Sequence, residues 1–263
     1  YSSLEKLKEK NIPNAEIDLR ILLNYSKYSK NEIILSNFDL KKININVFNK
    51  VLNRRLSNEP ISKIINKKNF WKSEFYVNSD VLDPRPETEL IIEEVLKNIK
   101  DKNKKFKILD IGTGSGCISI SLAKEFKNSN ITAIDISSKA LKVAKRNILF
   151  HKLENRIKLD LIDVKNIDEK FDLIISNPPY IDESDYQNLQ MEIKKFEPKV
   201  ALYAGKDGLK FYKIFAKKIH KIMKKNSIFI CEIGYNQLNA CIDIFKNTNL
   251  VLKNVSKDIQ NID

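Results

Sequence analysis

Residues 108–117 read Ile108-Leu109-Asp110-Ile111-Gly112-Thr113-Gly114-Ser115-Gly116-Cys117, and half of the chain's six glycines fall inside this stretch. An apolar run leads into a glycine-rich turn, and a helical pattern opens at Cys117. Glycines there let the backbone approach a ligand closely, while a helix N-terminus offers unpaired amide hydrogens and the positive end of a dipole. Asp135 follows 19 residues after Gly116, at the end of a second apolar run, where a carboxylate can accept both hydroxyls of a ribose. The pattern predicts a nucleoside-cofactor site. Dinucleotide enzymes place similar groups here, but their usual spacing is G-x-G-x-x-G, whereas the third glycine of this loop comes after a single spacer.

Working outward, short apolar runs alternate with helical periodicity. Strands are expected at 107–111, 131–135, 156–162, 171–176, 227–233 and 250–255, and helices at 117–126, 138–150, 208–223 and 236–246. Such alternation implies an α/β domain with a mostly parallel sheet covered on both faces. Residues 1–60 lack a strand pattern and read as helical. An aromatic hairpin or connector is expected over 70–77, and the acid-rich Glu87-Thr88-Glu89 suits the first turn of a helix running to about Lys97. The expected division is a helical domain over 1–67, a connector over 68–84 and the α/β domain over 85–263.

The fourth expected strand of the α/β region ends in Ser176-Asn177-Pro178-Pro179-Tyr180. Ligand sites in open parallel sheets lie beyond the carboxyl ends of the strands, which places this turn opposite the glycine loop. Two consecutive prolines remove two amide hydrogens and stiffen the turn, leaving the Asn177 side chain and the Pro178 carbonyl as fixed acceptors for a planar –NH2 group. Tyr180 can stack on that group. An amide or aromatic amine is a poor nucleophile because its lone pair is delocalised. Acceptors on both N–H bonds aim the lone pair at a methyl donor, so orientation does much of the catalysis.

Composition sets the outer bounds. The chain of 263 residues is 42% hydrophobic and 31% charged, which supports a globular core. No stretch approaches the length of an apolar membrane helix, and the first residues carry no hydrophobic signal region. Three distant cysteines, Cys117, Cys231 and Cys241, lack metal-ligand spacing and fit a reducing compartment, so a cytoplasmic location and no metal are expected. The net charge of +13 is spread over scattered lysines, mostly solvated faces with room for weak nucleic-acid contact. Phe70 and Trp71 read as core packing, His151 and His220 as ordinary surface or packing residues without partners, and Cys117 as small-residue packing. Arg85, Glu87 and Glu89 suit either closure of the cofactor pocket or a connector salt bridge and helix cap.

The glycine loop resembles the first motif of class I S-adenosylmethionine-dependent methyltransferases. Together with 15–23, 54–61, Val81-Leu82-Asp83-Pro84-Arg85-Pro86-Glu87-Thr88-Glu89, Phe196-Glu197-Pro198 and Gly205-Lys206-Asp207-Gly208-Leu209, the chain resembles the release factor glutamine methyltransferases over nearly its whole length. The resemblance implies a Rossmann-like class I methyltransferase fold of seven strands, one antiparallel, behind a small all-α N-terminal domain that recognises the substrate. It implies S-adenosylmethionine as cofactor and, as partner, a class I peptide chain release factor, methylated on the amide nitrogen of its Gly-Gly-Gln glutamine. By analogy Asn177, Pro178, Pro179 and Tyr180 hold that glutamine. Gly112, Thr113, Gly114, Ser115 and Gly116 would hold the methionyl part of the cofactor and Asp135 its ribose, with Asp163 and Val164 near its adenine and Asp110 and Asn177 also among the cofactor-binding residues. Val164 departs from the large aromatic that some relatives carry there, and the family's final basic strand would lie past Asp263. A monomer is expected. The alternatives are an adenine or guanine exocyclic-amine methyltransferase using the same turn on a flipped base, an NAD-dependent oxidoreductase and a non-catalytic binding module.

Overall fold

The computed structural model describes residues 2–28 and 40–257. The helices and strands follow in order as α1 (Ser2–Glu9), α2 (Ala15–Tyr25), α3 (Ile45–Leu56), α4 (Ile61–Ile65), β1 (Lys68–Phe70), β2 (Ser73–Phe75), α5 (Glu89–Asn98), β3 (Lys107–Ile111), α6 (Cys117–Glu125) and β4 (Asn130–Asp135). They continue as α7 (Ser138–Phe150), β5 (Ile157–Leu161), β6 (Phe171–Ser176), α8 (Glu183–Asn188), α9 (Met191–Phe196), α10 (Lys210–Ile222), β7 (Met223–Cys231) and α11 (Leu238–Phe245). Two compact units emerge, one of residues 1–67 with 190–196 and one of 68–189 with 197–263. The connector expected over 68–84 therefore lies inside the second unit.

In the first unit α1 to α4 enclose Leu7, Leu22, Val51 and Ile64. Asn44 starts α3 by accepting the Val47 amide hydrogen, a side-chain cap of the kind that asparagine supplies best. The buried Arg55 guanidinium pairs with Asp18 at 2.6 Å and with Glu192 of α9 at 3.4 Å. A single charge thereby joins α2, α3 and α9, and its paired, hydrogen-bonded state is what makes its burial tolerable.

In the second unit five parallel strands stand in the order β5-β4-β3-β6-β7 among the described residues. Alternation along the strands divides the core. Ile108, Leu173 and Ile175 face α5, α6 and α7, whereas Leu109, Ile111 and Ile174 face α10 and α11. Burial on both faces is why these strands read as continuous apolar runs. The strand order reverses between β3 and β6, and Ile111 pairs with Ser176 there. The loops that leave these strands diverge and open a crevice.

The sheet differs from the expected seven strands, and none of its five is antiparallel. Residues 250–257 form no strand, with Val251 90% exposed. β-prone side chains do not make a strand without a neighbouring ladder to pair with. The aromatic segment does form a hairpin, β1 against β2 in antiparallel register, and its turn places Trp71 at φ 53°. Glu89 Oε1 accepts the Trp71 amide hydrogen at 2.7 Å, so this carboxylate anchors the hairpin. Phe70 is core, as expected. His151 is not partnerless: its Nε2 lies 2.9 Å from the Glu74 carbonyl and its Nδ1 3.0 Å from Lys124 Nζ. Burial first, and Lys124 second, lower its pKa, which makes the neutral ring the acceptor from Lys124 and the donor to Glu74.

Candidate active site

The loop after β3 is organised by hydrogen bonds to its neighbours. The amide hydrogens of Gly112 and Thr113 both go to the Ile134 carbonyl, at 2.9 and 3.0 Å. Asn147 Nδ2 donates to the Ser115 carbonyl at 2.8 Å. Gly112 has φ +74° and nothing within 4 Å of the place a Cβ would occupy, leaving a cradle of bare backbone. Gly114 and Gly116 also have positive φ, and Gly116 is the residue from which α6 starts.

Asp110 lies beneath this loop, fully buried. Its Oδ2 accepts from Ser119 Oγ at 2.6 Å and Thr113 Oγ1 at 2.7 Å, while Oδ1 has no hydrogen-bond partner among the described residues. Burial pushes this carboxyl up to about 6 against those two hydrogen bonds, with help from the nearby Asp135 charge. The folded chain therefore keeps a proton between about pH 4 and 6 that the unfolded chain has lost. Unfolding free energy is expected to fall over that interval as pH rises, by on the order of 3 kcal/mol from this group. Urea titrations of the parent and Asp110→Asn across pH 4–8 check this; parallel curves would exclude it.

Asp135, at the end of β4, accepts the Gly114 amide hydrogen at 3.0 Å through Oδ2 and that of Ser137 at 2.8 Å through Oδ1. Burial raises its pKa despite these hydrogen bonds. Ser137 in turn starts α7 by capping the Ala140 amide. The resulting cleft, about 220 Å³, is lined by Gly112 to Ser115, Asp135, Asp163, Val164 and the 176–179 turn. Asp163 accepts the Lys165 amide hydrogen at 2.9 Å, and Val164 is buried. Ile136, which the sequence reading missed, lines the same cleft and is 55% exposed there. An apolar side chain directly after the carboxylate was the available signal. Cys117 is buried, and burial pushes its thiol up to about 12, which makes it a packing group rather than a reactive one.

The turn after β6 lies across the crevice, as expected, and divides the cleft from a second cavity of about 240 Å³ lined by Arg85, Glu87, Asn177, Pro178, Tyr180 and Glu232, among others. Asn177 Nδ2 donates to Thr88 Oγ1 at 2.8 Å; among the described residues its Oδ1 and the Pro178 carbonyl accept no hydrogen bond. Thr88 donates to Glu232 Oε2 at 2.8 Å, and the Tyr180 hydroxyl to Glu232 Oε1 at 3.4 Å. Arg85 lies 3.5 Å from the buried Glu197, so it serves as a connector salt bridge at the rim of both cavities.

Tyr180 is clamped from behind. Gln237 Nε2 donates to its carbonyl at 2.9 Å, while Gln237 Oε1 accepts the Gly234 amide hydrogen. A Cβ on Gly208, whose φ is +70°, would meet the Tyr180 carbonyl oxygen and Gln237 Nε2 at 2.5 Å each. Gly208→Ala should therefore cost roughly 2–4 kcal/mol through backbone strain and crowding. A thermal melt within error of the parent would contradict that. Thr88, Glu232 and Gln237 were not singled out in the sequence; the carboxyl end of β7, beside β6, was the position to inspect.

The strand order, the crevice and the glycine loop define a class I methyltransferase fold. Residues 80–196 match the family described as "Methyltransferase small domain". The hMettl16 catalytic domain, solved in complex with MAT2A 3'UTR hairpin 6, aligns with a TM-score of 0.53 at 19% identity, covering 65% of this chain and 66% of that one. A "Bifunctional methyltransferase" of Rickettsia bellii is 39% identical over 97% of this chain, which spans about half of that protein's length, 51%. The "Release factor glutamine methyltransferase" of Caulobacter vibrioides is 36% identical, over 98% of this chain and 91% of that protein. The chain belongs to the release factor glutamine methyltransferase family.

S-adenosylmethionine is the cofactor that this fold and family imply, and the residues present fit it. The bare backbone at Gly112 suits close contact with its methionyl part, and Asp135 keeps lone pairs for two ribose hydroxyls. No helix of the described residues is long and apolar enough to cross a membrane.

Proposed function

We propose that this chain methylates the side-chain amide nitrogen of a glutamine, that of the Gly-Gly-Gln motif in a class I peptide chain release factor. The observation that carries the reading is the orientation of Asn177. Its –NH2 side is engaged by Thr88, and its Oδ1 remains an acceptor beside the Pro178 carbonyl. Two acceptors at one turn match the two N–H bonds of a primary amide and favour no hydroxyl or thiol acceptor of methyl groups.

The cofactor supplies an electrophilic methyl group when bound. Asn177 and Pro178 hold the substrate –NH2 so that its nitrogen lone pair points across the turn toward the cleft, and Tyr180 packs on the amide plane. The substrate nitrogen would take up that methyl group, with the demethylated cofactor as leaving group, and would give one amide proton to solvent. Asp135 and the 112–116 loop orient the donor side, with Asp163, Val164 and Ile136 around its base. Much of the acceleration comes from holding the two reacting atoms in line, with no nucleophilic side chain of the enzyme. The N-terminal helical unit, with 190–196, is assigned to recognition of the release factor. The protein acts as a monomer, and the basic surface makes weak nucleic-acid contact at most.

Mass spectrometry of digested release factor after incubation with enzyme and S-adenosylmethionine tests the proposal. One added methyl on the Gly-Gly-Gln peptide is expected; an unmodified peptide with methyl on another site would refute it.

A further inference from the structure

We propose that Thr88 and Glu232 are positioning residues: they form a hydrogen-bond relay of fixed polarity that decides which way the Asn177 side-chain amide faces. The inference rests on the proposed glutamine chemistry and deepens it. An asparagine amide is nearly symmetric in shape, so packing alone scarcely distinguishes Oδ1 from Nδ2. Hydrogen bonding must do so. At Asn177 the wrong orientation would set one –NH2 group against another.

The relay starts at Glu232, at the carboxyl end of β7. The Thr88 and Tyr180 hydroxyls both donate to its carboxyl, at 2.8 and 3.4 Å, and the Asn177 amide is a further donor on the same side. Burial raises the Glu232 pKa, and the hydrogen bonds from Thr88, Tyr180 and Asn177 oppose that rise; the oxygen that takes the Thr88 hydrogen is an acceptor at that position. Thr88 has one hydroxyl hydrogen. Having given it to Glu232, it presents only lone pairs to Asn177, which must then turn its Nδ2 toward Thr88, as the 2.8 Å contact records. Oδ1 is thereby directed the other way, into its acceptor role.

Two further observations support the assignment. Thr88 precedes α5 in the place where threonine ordinarily caps a helix, yet its hydroxyl caps no backbone amide. It is also only 3% exposed. A buried hydroxyl withheld from the helix and spent between Glu232 and Asn177 has no capping role. The same carboxylate reaches Tyr180, so the acceptor and the aromatic ring of the 177–180 turn are referred to one fixed group.

The test compares the parent with Thr88→Ser, Thr88→Val and Glu232→Gln. Valine keeps the volume of threonine and removes the hydroxyl; serine keeps the hydroxyl; glutamine places an –NH2 among the donors. Thr88→Val and Glu232→Gln are expected to lower kcat on release factor by about 10- to 100-fold, the scale set by small misplacement of a reacting group. Calorimetric affinity for S-adenosylmethionine should hold, and Thr88→Ser should recover most of the rate. Side-chain amide hydrogen exchange of Asn177, read by NMR, should be slow in the parent and the serine variant and fast in the other two.

Parental kcat in Thr88→Val, or a serine variant as slow as the valine one, would overturn the relay. If the parent methylates no glutamine, the proposed function fails instead, and the exchange measurement still decides the relay: equal exchange in parent and Thr88→Val refutes it.

Discussion

Asn177→Ala is expected to lower kcat for glutamine methylation by roughly 100- to 1,000-fold, the usual effect of removing one preorganised hydrogen-bonding group from a reaction centre. Alanine deletes the Oδ1 acceptor and leaves the substrate amide with the Pro178 carbonyl alone. It also strands the Thr88 hydroxyl and Glu232, which lose their donor from Asn177. Asn177 lines the cofactor cleft as well as the second cavity. Most cofactor contacts, however, would come from the 112–116 loop and Asp135, so the dissociation constant for S-adenosylmethionine should change little. Stopped assays at saturating cofactor, beside calorimetric titration, separate the two quantities. Turnover at the parental rate would remove the acceptor mechanism.

The second large effect falls on the other side of the turn. Asp135→Ala should weaken S-adenosylmethionine binding about 100-fold, since hydrogen bonds to a charged group contribute roughly 1.5–3 kcal/mol each. The carboxylate does two things at once. Its oxygens already accept from Gly114 and Ser137, which fixes the loop, and their remaining lone pairs would accept from the ribose hydroxyls in the proposed complex. Asp135→Asn should do little better, because its –NH2 must oppose one of those two backbone donors. Burial raises the Asp135 pKa, so cofactor affinity should decline on acidification from a pH above the ordinary carboxylate range. A drop in kcat with unchanged affinity would place Asp135 elsewhere in the mechanism.

Much of this was legible in the sequence because it depends on local chemistry. The bounds of β3, α7 and β6 fall where the apolar runs and the helical periodicity put them. The glycine loop and the Asn177 turn were readable because glycine and proline restrict the backbone regardless of context. The relay was not, since it joins Thr88, Asn177 and Glu232 from three distant segments, and only the β6–β7 pairing brings the last two together. The failed strand at 250–255 has the same origin: composition reports a tendency, and pairing decides. His151 acquired partners from β2 and α6 that no pattern within α7 announces.

The most direct measurement is the transfer of labelled methyl from S-adenosylmethionine to purified release factor, to its variant with alanine for the glutamine of the Gly-Gly-Gln motif, and to total RNA and DNA. Label on the parent release factor alone is the predicted result. Label on the alanine variant, or on nucleic acid in place of the release factor, would contradict glutamine as the acceptor.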